Sequence, residues 1–272
     1  MINNADTEKI EYFYNWSRDY WYELGADSDK GLSSLLNFGC WDSGTVNLYQ
    51  AQQQLFDVCT QKLCPIQSNA CGLEVGCGIG GNSIRLCQQQ PVNMTAMDIS
   101  TSQLNIAINK AQALGCANRI KFVSGDSMAM PFDDEMFDFS ICIESTFHYP
   151  RLDRYVAEQH RVLKPGAKAI IADITCEDPT QVKFRQGNHF YSVQRMQKLL
   201  LESGFKIIDI HRIGSSVFEA FYRYMCHFNQ QRKTKVTRYW SLVLLNYVSL
   251  YRQGVMGYDI FEIVKSDGNG VI

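Results

Sequence analysis

The chain has 272 residues, 26 basic and 28 acidic, giving a formal charge of -2. That balance provides no global attraction to nucleic acid or to an acidic membrane surface, so a small-molecule partner is expected. Ten cysteines without a C-x-x-C pair argue against a metal knuckle, and residues 1–10 hold no apolar signal core. Together these point to a reducing, cytoplasmic setting and to no bound metal. The longest apolar run, 239–250, is broken by Ser241, Asn246 and Ser249, which argues against a membrane span.

In chain order, residues 1–65 read as a helical, aromatic cap, with Tyr12, Phe13, Tyr14, Trp16, Tyr20, Trp21, Phe38 and Trp41 ahead of any strand. From residue 72 onward, short apolar strands alternate with helical patterns, as in a mainly parallel sheet. Strands are predicted at 72–75, 92–98, 120–125, 137–143, 167–175, 205–211 and 258–265. Helices are predicted at 82–89, 101–114, 153–163 and 192–203, where apolar residues recur at a 3.6-residue period. Gly115 and Gly204 fall where helix C-terminal caps are expected. Residues 215–252 form a second helical segment, in which Val217, Phe218, Phe221, Tyr222, Met225 and Phe228 share a face.

The predicted fold is thus α/β, a Rossmann-like seven-stranded sheet whose last strand runs antiparallel, within one domain. A helical cap (1–65) precedes a cofactor-binding core (66–211), a helical lid insertion (212–254), and a last strand and tail (255–272). The aromatic stripes of cap and lid fit ordinary packing faces; the functional alternative is an aromatic-lined lid over the carboxyl edge of the sheet.

The stretch 73–86 combines an apolar strand, Glu74 at its end, a turn rich in glycine, and a helix start. Glycine admits backbone conformations closed to other residues and lets a ligand approach the main chain. Gly76, Gly78 and Gly81 also satisfy the G-x-G-x-x-G dinucleotide fingerprint, and Asp98 follows at a distance suited to a ribose. The turn by itself does not separate NAD from another adenosine cofactor.

Further motifs follow in order: Gly125-Asp126-Ser127-Met128 after the third strand, Glu144-Ser145-Thr146-Phe147-His148 after the fourth, and Leu163-Lys164-Pro165-Gly166 before the fifth. With Glu74 to Gly80 and Asp98, this set resembles the class I S-adenosylmethionine-dependent methyltransferases over roughly residues 10–265. Phe13-Tyr14-Asn15 and the string from Asn37 to Trp41 extend the likeness to the branch that includes sterol, tocopherol, sarcosine and bacterial natural-product methyltransferases. The branch more often has Tyr-Asp at Tyr14-Asn15, and His-x-Gly-Tyr-Trp at 37–41.

The resemblance implies a seat for S-adenosylmethionine built from Glu74, Gly76, Cys77, Gly78, Asp98, Ile99, Gln103, Asp126, Ser127, Met128, Glu144 and Ser145. In it, Asp98 accepts both ribose hydroxyls and Asp126 the adenine amino group, while Glu74 shapes the pocket. Tyr14, Phe38 and Trp41 are candidates to close over the sulfonium, since aromatic faces attract cations. The expected partner is a small, partly hydrophobic methyl acceptor, with no nucleic acid, and the chain a monomer or homodimer. His148, whose ordinary pKa lies near working pH, is the candidate general base or else a surface residue ahead of Pro150. Asp173, Glu177, His189, His211 and His227 are weaker candidates. An NAD-dependent oxidoreductase and a cofactor-binding protein without transfer activity stay as alternatives.

Overall fold

The computed structural model describes Tyr12, Trp16, Tyr20, Trp21, Leu24, and residues 35–184 and 187–267. After α1 (Leu48–Gln61) the alternation begins: β1 (Cys71–Val75), α2 (Gly81–Gln89), β2 (Asn93–Asp98), α3 (Thr101–Ala113), β3 (Ile120–Ser124), β4 (Phe137–Ile143) and α4 (Leu152–Val162). It continues through β5 (Leu163–Cys176), α5 (Val193–Glu202), β6 (Phe205–Arg212), the helix pair α6 (Phe218–Gln230) and α7 (Lys235–Arg252), and β7 (Met256–Lys265). The helices start where side chains can take over orphan backbone donors: Asn47, Ser100, Ser192 and Thr234 each cap one. Gly115 and Gly204, expected at helix ends, have φ of +70° and +92°.

The seven strands lie in the order β3-β2-β1-β4-β5-β7-β6. β7 runs antiparallel to both neighbours, β5 and β6, and every other pairing is parallel. The predicted turn at 164–166 is drawn into β5 itself. Phe137 pairs with Leu163 and Phe139 with Lys168, so the chain between leaves the ladder as a bulge.

Side chains alternate across the sheet at the period of two that a strand dictates. Ile170, Ala172 and Ile174 join the core under α1, α2, α3 and the α6–α7 pair, whereas Ala169 and Ile171 join the core under α4 and α5. The strand order reverses between β1 and β4, and at such a switch point the carboxyl ends leave a crevice.

Aromatic contacts bring the cap against the lid. Tyr20 stacks on Trp240 at 6.4 Å and meets Phe228 at 6.0 Å, while Trp21 lies edge-on to Trp240 at 4.9 Å. Two hydrogen bonds reinforce the junction, from Tyr224 Oη to the Leu24 carbonyl at 3.0 Å and from Tyr20 Oη to Asn229 Oδ1 at 3.3 Å.

Candidate active site

A cavity opens at the carboxyl ends of β1, β2 and β4. Its floor is the turn after β1, where Gly76, Gly78 and Gly80 take φ of +71°, +51° and +76°. A Cβ on Gly76 would lie 2.3 Å from Ser145 Oγ, and one on Gly80 2.9 Å from the Ala107 Cβ. The glycines that need left-handed backbone are therefore 76, 78 and 80, whereas Gly81 is an ordinary first residue of α2. The dinucleotide spacing seen in the sequence does not coincide with the conformational requirement.

Asp98 ends β2 with its carboxylate fixed from two sides: the Gly78 N–H donates to Oδ2 at 2.8 Å and the Ser100 N–H to Oδ1 at 2.9 Å. Two buried acceptors on the cavity wall, Asn82 Oδ1 and Gln103 Oε1, have no hydrogen-bond partner. Orphaned buried acceptors are costly, and a ligand that brings ammonium and hydroxyl donors satisfies them. The residues present thus fit the amino-acid and ribose parts of S-adenosylmethionine.

Of the predicted seat, Gly76, Cys77, Gly78, Asp98, Ile99, Gln103, Ser127, Glu144, Ser145 and His148 line this cavity. Glu74, Asp126 and Met128 do not. Glu74 is buried and turned toward α2, accepting from Ser83 N–H and Asn82 Nδ2 at 2.9 Å each and from the Ser83 hydroxyl. Burial pushes its pKa up to about 7 against those bonds. Its carboxylate orients Asn82, a residue of the cavity wall. Asp126 turns back to accept from Met128 N–H at 2.8 Å, and Met128 packs into the core beside α4. The aromatic trio divides differently. Tyr14 lies outside the described residues. Trp41 packs 5.1 Å from Tyr224 on the lid, and Phe38 stacks 4.7 Å from Phe221.

Residues absent from the prediction also contribute: Asn37, Asn82, Met97, Gly125 and Tyr149. Asn37 and Tyr149 sit at the ends of strings already singled out. Asn82 carried a positional signal, the first turn of the helix after the glycines, where side chains reach a bound ligand.

A second cavity adjoins the first beneath the cap and lid. Its wall is mainly aromatic and aliphatic: Trp21, Phe38, Phe147, Ile174, Phe184, Phe190, Tyr239, Trp240, Val243 and Tyr247. Leu36, Glu144 and His148 line both cavities.

Glu144 leaves β4 with φ +51°, an uncommon conformation for a residue bearing a Cβ, and is stabilised by its surroundings. Its N–H donates to the Ala172 carbonyl at 2.8 Å, and its Oε1 accepts from the Phe38 N–H at 2.8 Å and the Tyr258 hydroxyl at 2.9 Å. Burial raises its pKa to about 8. Burial lowers that of His148 to about 4, with a hydrogen bond to Asn188 opposing it only in part. Both shifts favour the uncharged form, the protonated carboxyl and the neutral imidazole. Asp173 is buried below them, and both its oxygens are engaged. Thr146 donates twice at 2.6 Å and the Ile174 N–H once at 2.7 Å. It holds the short 3-10 turn Thr146–His148 rather than facing either cavity.

Residues 73–166 match the model of the methyltransferase domain family. The match spans about a third of the chain, and the sheet order and the glycine turn described above are consistent with it. The match supports the S-adenosylmethionine reading of the turn and lends no support to the dinucleotide one. Among individual relatives, the chain is 30% identical to the methyltransferase GfsG of Streptomyces halstedii over 173 residues, 63% of this chain and 62% of that one. It is 38% identical over 163 residues to a sterol 24-C-methyltransferase of Neurospora crassa, 60% of this chain and 42% of that one. The chain thus spans less than two thirds of the length of either relative. In fold it is similar to a solved geranyl diphosphate methyltransferase, with TM-score 0.81, 15% identity, and coverage of 96% of this chain and 99% of that one.

Proposed function

We propose that the chain transfers a methyl group from S-adenosylmethionine to a small, largely apolar, uncharged acceptor. The observation that carries this reading is the common wall: Glu144 and His148 face a polar cavity on one side and an aromatic one on the other. An acceptor in the second cavity would meet the first across those two side chains and Leu36.

In the first cavity, Asp98 would accept the ribose hydroxyls, and Asn82 and Gln103 the donors of the methionine and ribose parts. The glycine turn admits the ligand against the backbone, Ser127 faces the adenine end, and Asp126 holds the turn that carries it. Bound there, the cofactor supplies an activated methyl group on a sulfonium.

Methyl transfer needs the acceptor atom held in line and kept dry, and positioning supplies much of the rate. The second cavity does both through aromatic side chains of cap and lid. His148, neutral at working pH, takes the proton from a hydroxyl or an acidic carbon as the acceptor gains its methyl group. Glu144, in its protonated form, donates a hydrogen bond to an acceptor oxygen, with Phe38 and Tyr258 fixing its orientation. A neutral acid and a neutral base suit an uncharged acceptor, because an ion left without a partner in such a wall is costly.

Incubating the protein with methyl-labelled cofactor and a metabolite extract tests the reading. Label is expected in an organic-soluble product. Label recovered only on a small polar amine such as glycine or sarcosine would overturn it.

A further inference from the structure

The lid carries a charge pattern that methyl transfer does not use. Residues 220–258 contain six arginines and lysines and no aspartate or glutamate, in a chain that is acidic overall. Along α7 the exposed positions are Lys235, Arg238, Leu242, Leu245, Ser249 and Arg252, spaced three and four apart as one face of a helix, with Arg252 paired to Glu219 at 2.6 Å. Leu242 and Leu245 are 45% and 48% exposed, although the opposite face of the same helix is buried and its Trp240, Val243 and Tyr247 line the aromatic cavity. Lys233 adds a further exposed cation in the connection before α7.

The cap extends the face. Trp16, 38% exposed, meets Tyr239 ring-to-ring at 5.4 Å, and Tyr12, four residues earlier in helical conformation, is 73% exposed. Tyr239 in turn lines the aromatic cavity. One outer surface thus presents cations, two leucines and two amphipathic rings directly over the cavity read here as the acceptor's.

We propose that this face docks on an anionic lipid surface. Clustered lysine and arginine are drawn to acidic head groups, leucine side chains gain by entering the interfacial layer, and tryptophan and tyrosine favour that depth. Docking is peripheral, since no described helix is long and apolar enough to cross a membrane. It sets the helix that lines the aromatic cavity against the phase in which apolar acceptors dissolve. A nucleic acid would also meet the cations, but it would leave the leucines unused. This inference concerns the surface alone and stands or falls without any methyl-transfer measurement.

The test is co-sedimentation of the full chain with phosphatidylcholine vesicles, with and without phosphatidylglycerol, at low and high salt. Binding is expected only with phosphatidylglycerol, weakening as salt rises. Neutralising one surface cation should weaken it roughly fivefold, so the double variant Lys235→Gln/Arg238→Gln loses roughly 25-fold. Leu242→Ser/Leu245→Ser should weaken it severalfold at unchanged salt dependence. If the double variant fails to fold, Lys233→Gln in the connection supplies the fivefold step. Three results overturn the inference: equal binding of the charge variants and the wild type, equal affinity for single-stranded RNA, or burial of the leucines between two copies of the chain in solution.

Discussion

The first cavity is made mostly of backbone turns at the ends of β1, β2 and β4, fixed by hydrogen bonds between neighbouring strand ends such as Gly78 N–H to Asp98 and Glu144 N–H to the Ala172 carbonyl. The second is made of side chains from five separate stretches, the cap, the turn after β4, the segment before α5, and α7 among them. One is held by backbone hydrogen bonds, the other by side-chain packing. The difference teaches where change is tolerated. A turn that demands φ of +71° admits one residue type, whereas an aromatic wall can be refilled with other apolar side chains of similar volume. The cofactor seat is rigid by necessity and the acceptor seat adaptable by construction.

Variants on the common wall and on each side of it can break this contrast. The largest effect is expected for His148→Ala, which should lower kcat/KM by about 10² to 10⁴. It should leave the cofactor's stabilisation of the fold in a thermal melt intact; a parallel loss of that stabilisation would mean that His148 serves the cofactor instead. Gly76→Ala forces a Cβ to within 2.3 Å of Ser145 Oγ in a left-handed turn. Cofactor affinity by calorimetry should fall on the order of 100-fold, with binding of an apolar fluorescent probe to the second cavity unchanged.

Phe184→Ala should do the reverse. The ring lines the second cavity and meets Tyr239 at 6.1 Å, so KM for an apolar acceptor should rise about tenfold while cofactor affinity stays constant. The smallest effect at neutral pH belongs to Glu144→Gln, which keeps a neutral donor in place and should stay within about threefold of wild type. Its signature is the pH profile. The protonated carboxyl is present below about 8 and lost as pH rises through that value, giving wild type an alkaline limb. The neutral imidazole is present above about 4 and lost as pH falls through it, giving an acid limb. Glu144→Gln should erase only the alkaline limb, and collapse of its activity at pH 7 would show the carboxylate acting as the base.

The strands and helices between 72 and 211 are legible in the sequence to within a few residues, because glycine, capping serine and strict periodicity act locally. Gly76, Gly78 and Asp98 were readable for the same reason: the turn and the strand end leave those atoms one place to go. Asp126, Met128 and Trp41 were not. Asp126 folds back on its own loop, Met128 turns into the core, and Trp41 follows the lid helix, outcomes decided by partners distant in sequence. Glu74 also sits where expected, but the direction of its carboxylate depended on Ser83 and Asn82, residues with no motif of their own. The second cavity as a whole escaped sequence reasoning, which offered only aromatic stripes without saying which rings meet.

Leu36, Glu144 and His148 border both cavities, so neither chamber has a private boundary on that side. A partition held in common ties the two occupancies together. If one ligand sharpens the placement of these side chains, it raises the affinity of the other by some factor, and reciprocity requires the second to raise the first by the same factor. The order in which the two compounds arrive, and the tendency of one spent product to delay the release of the other, is then a property of three side chains.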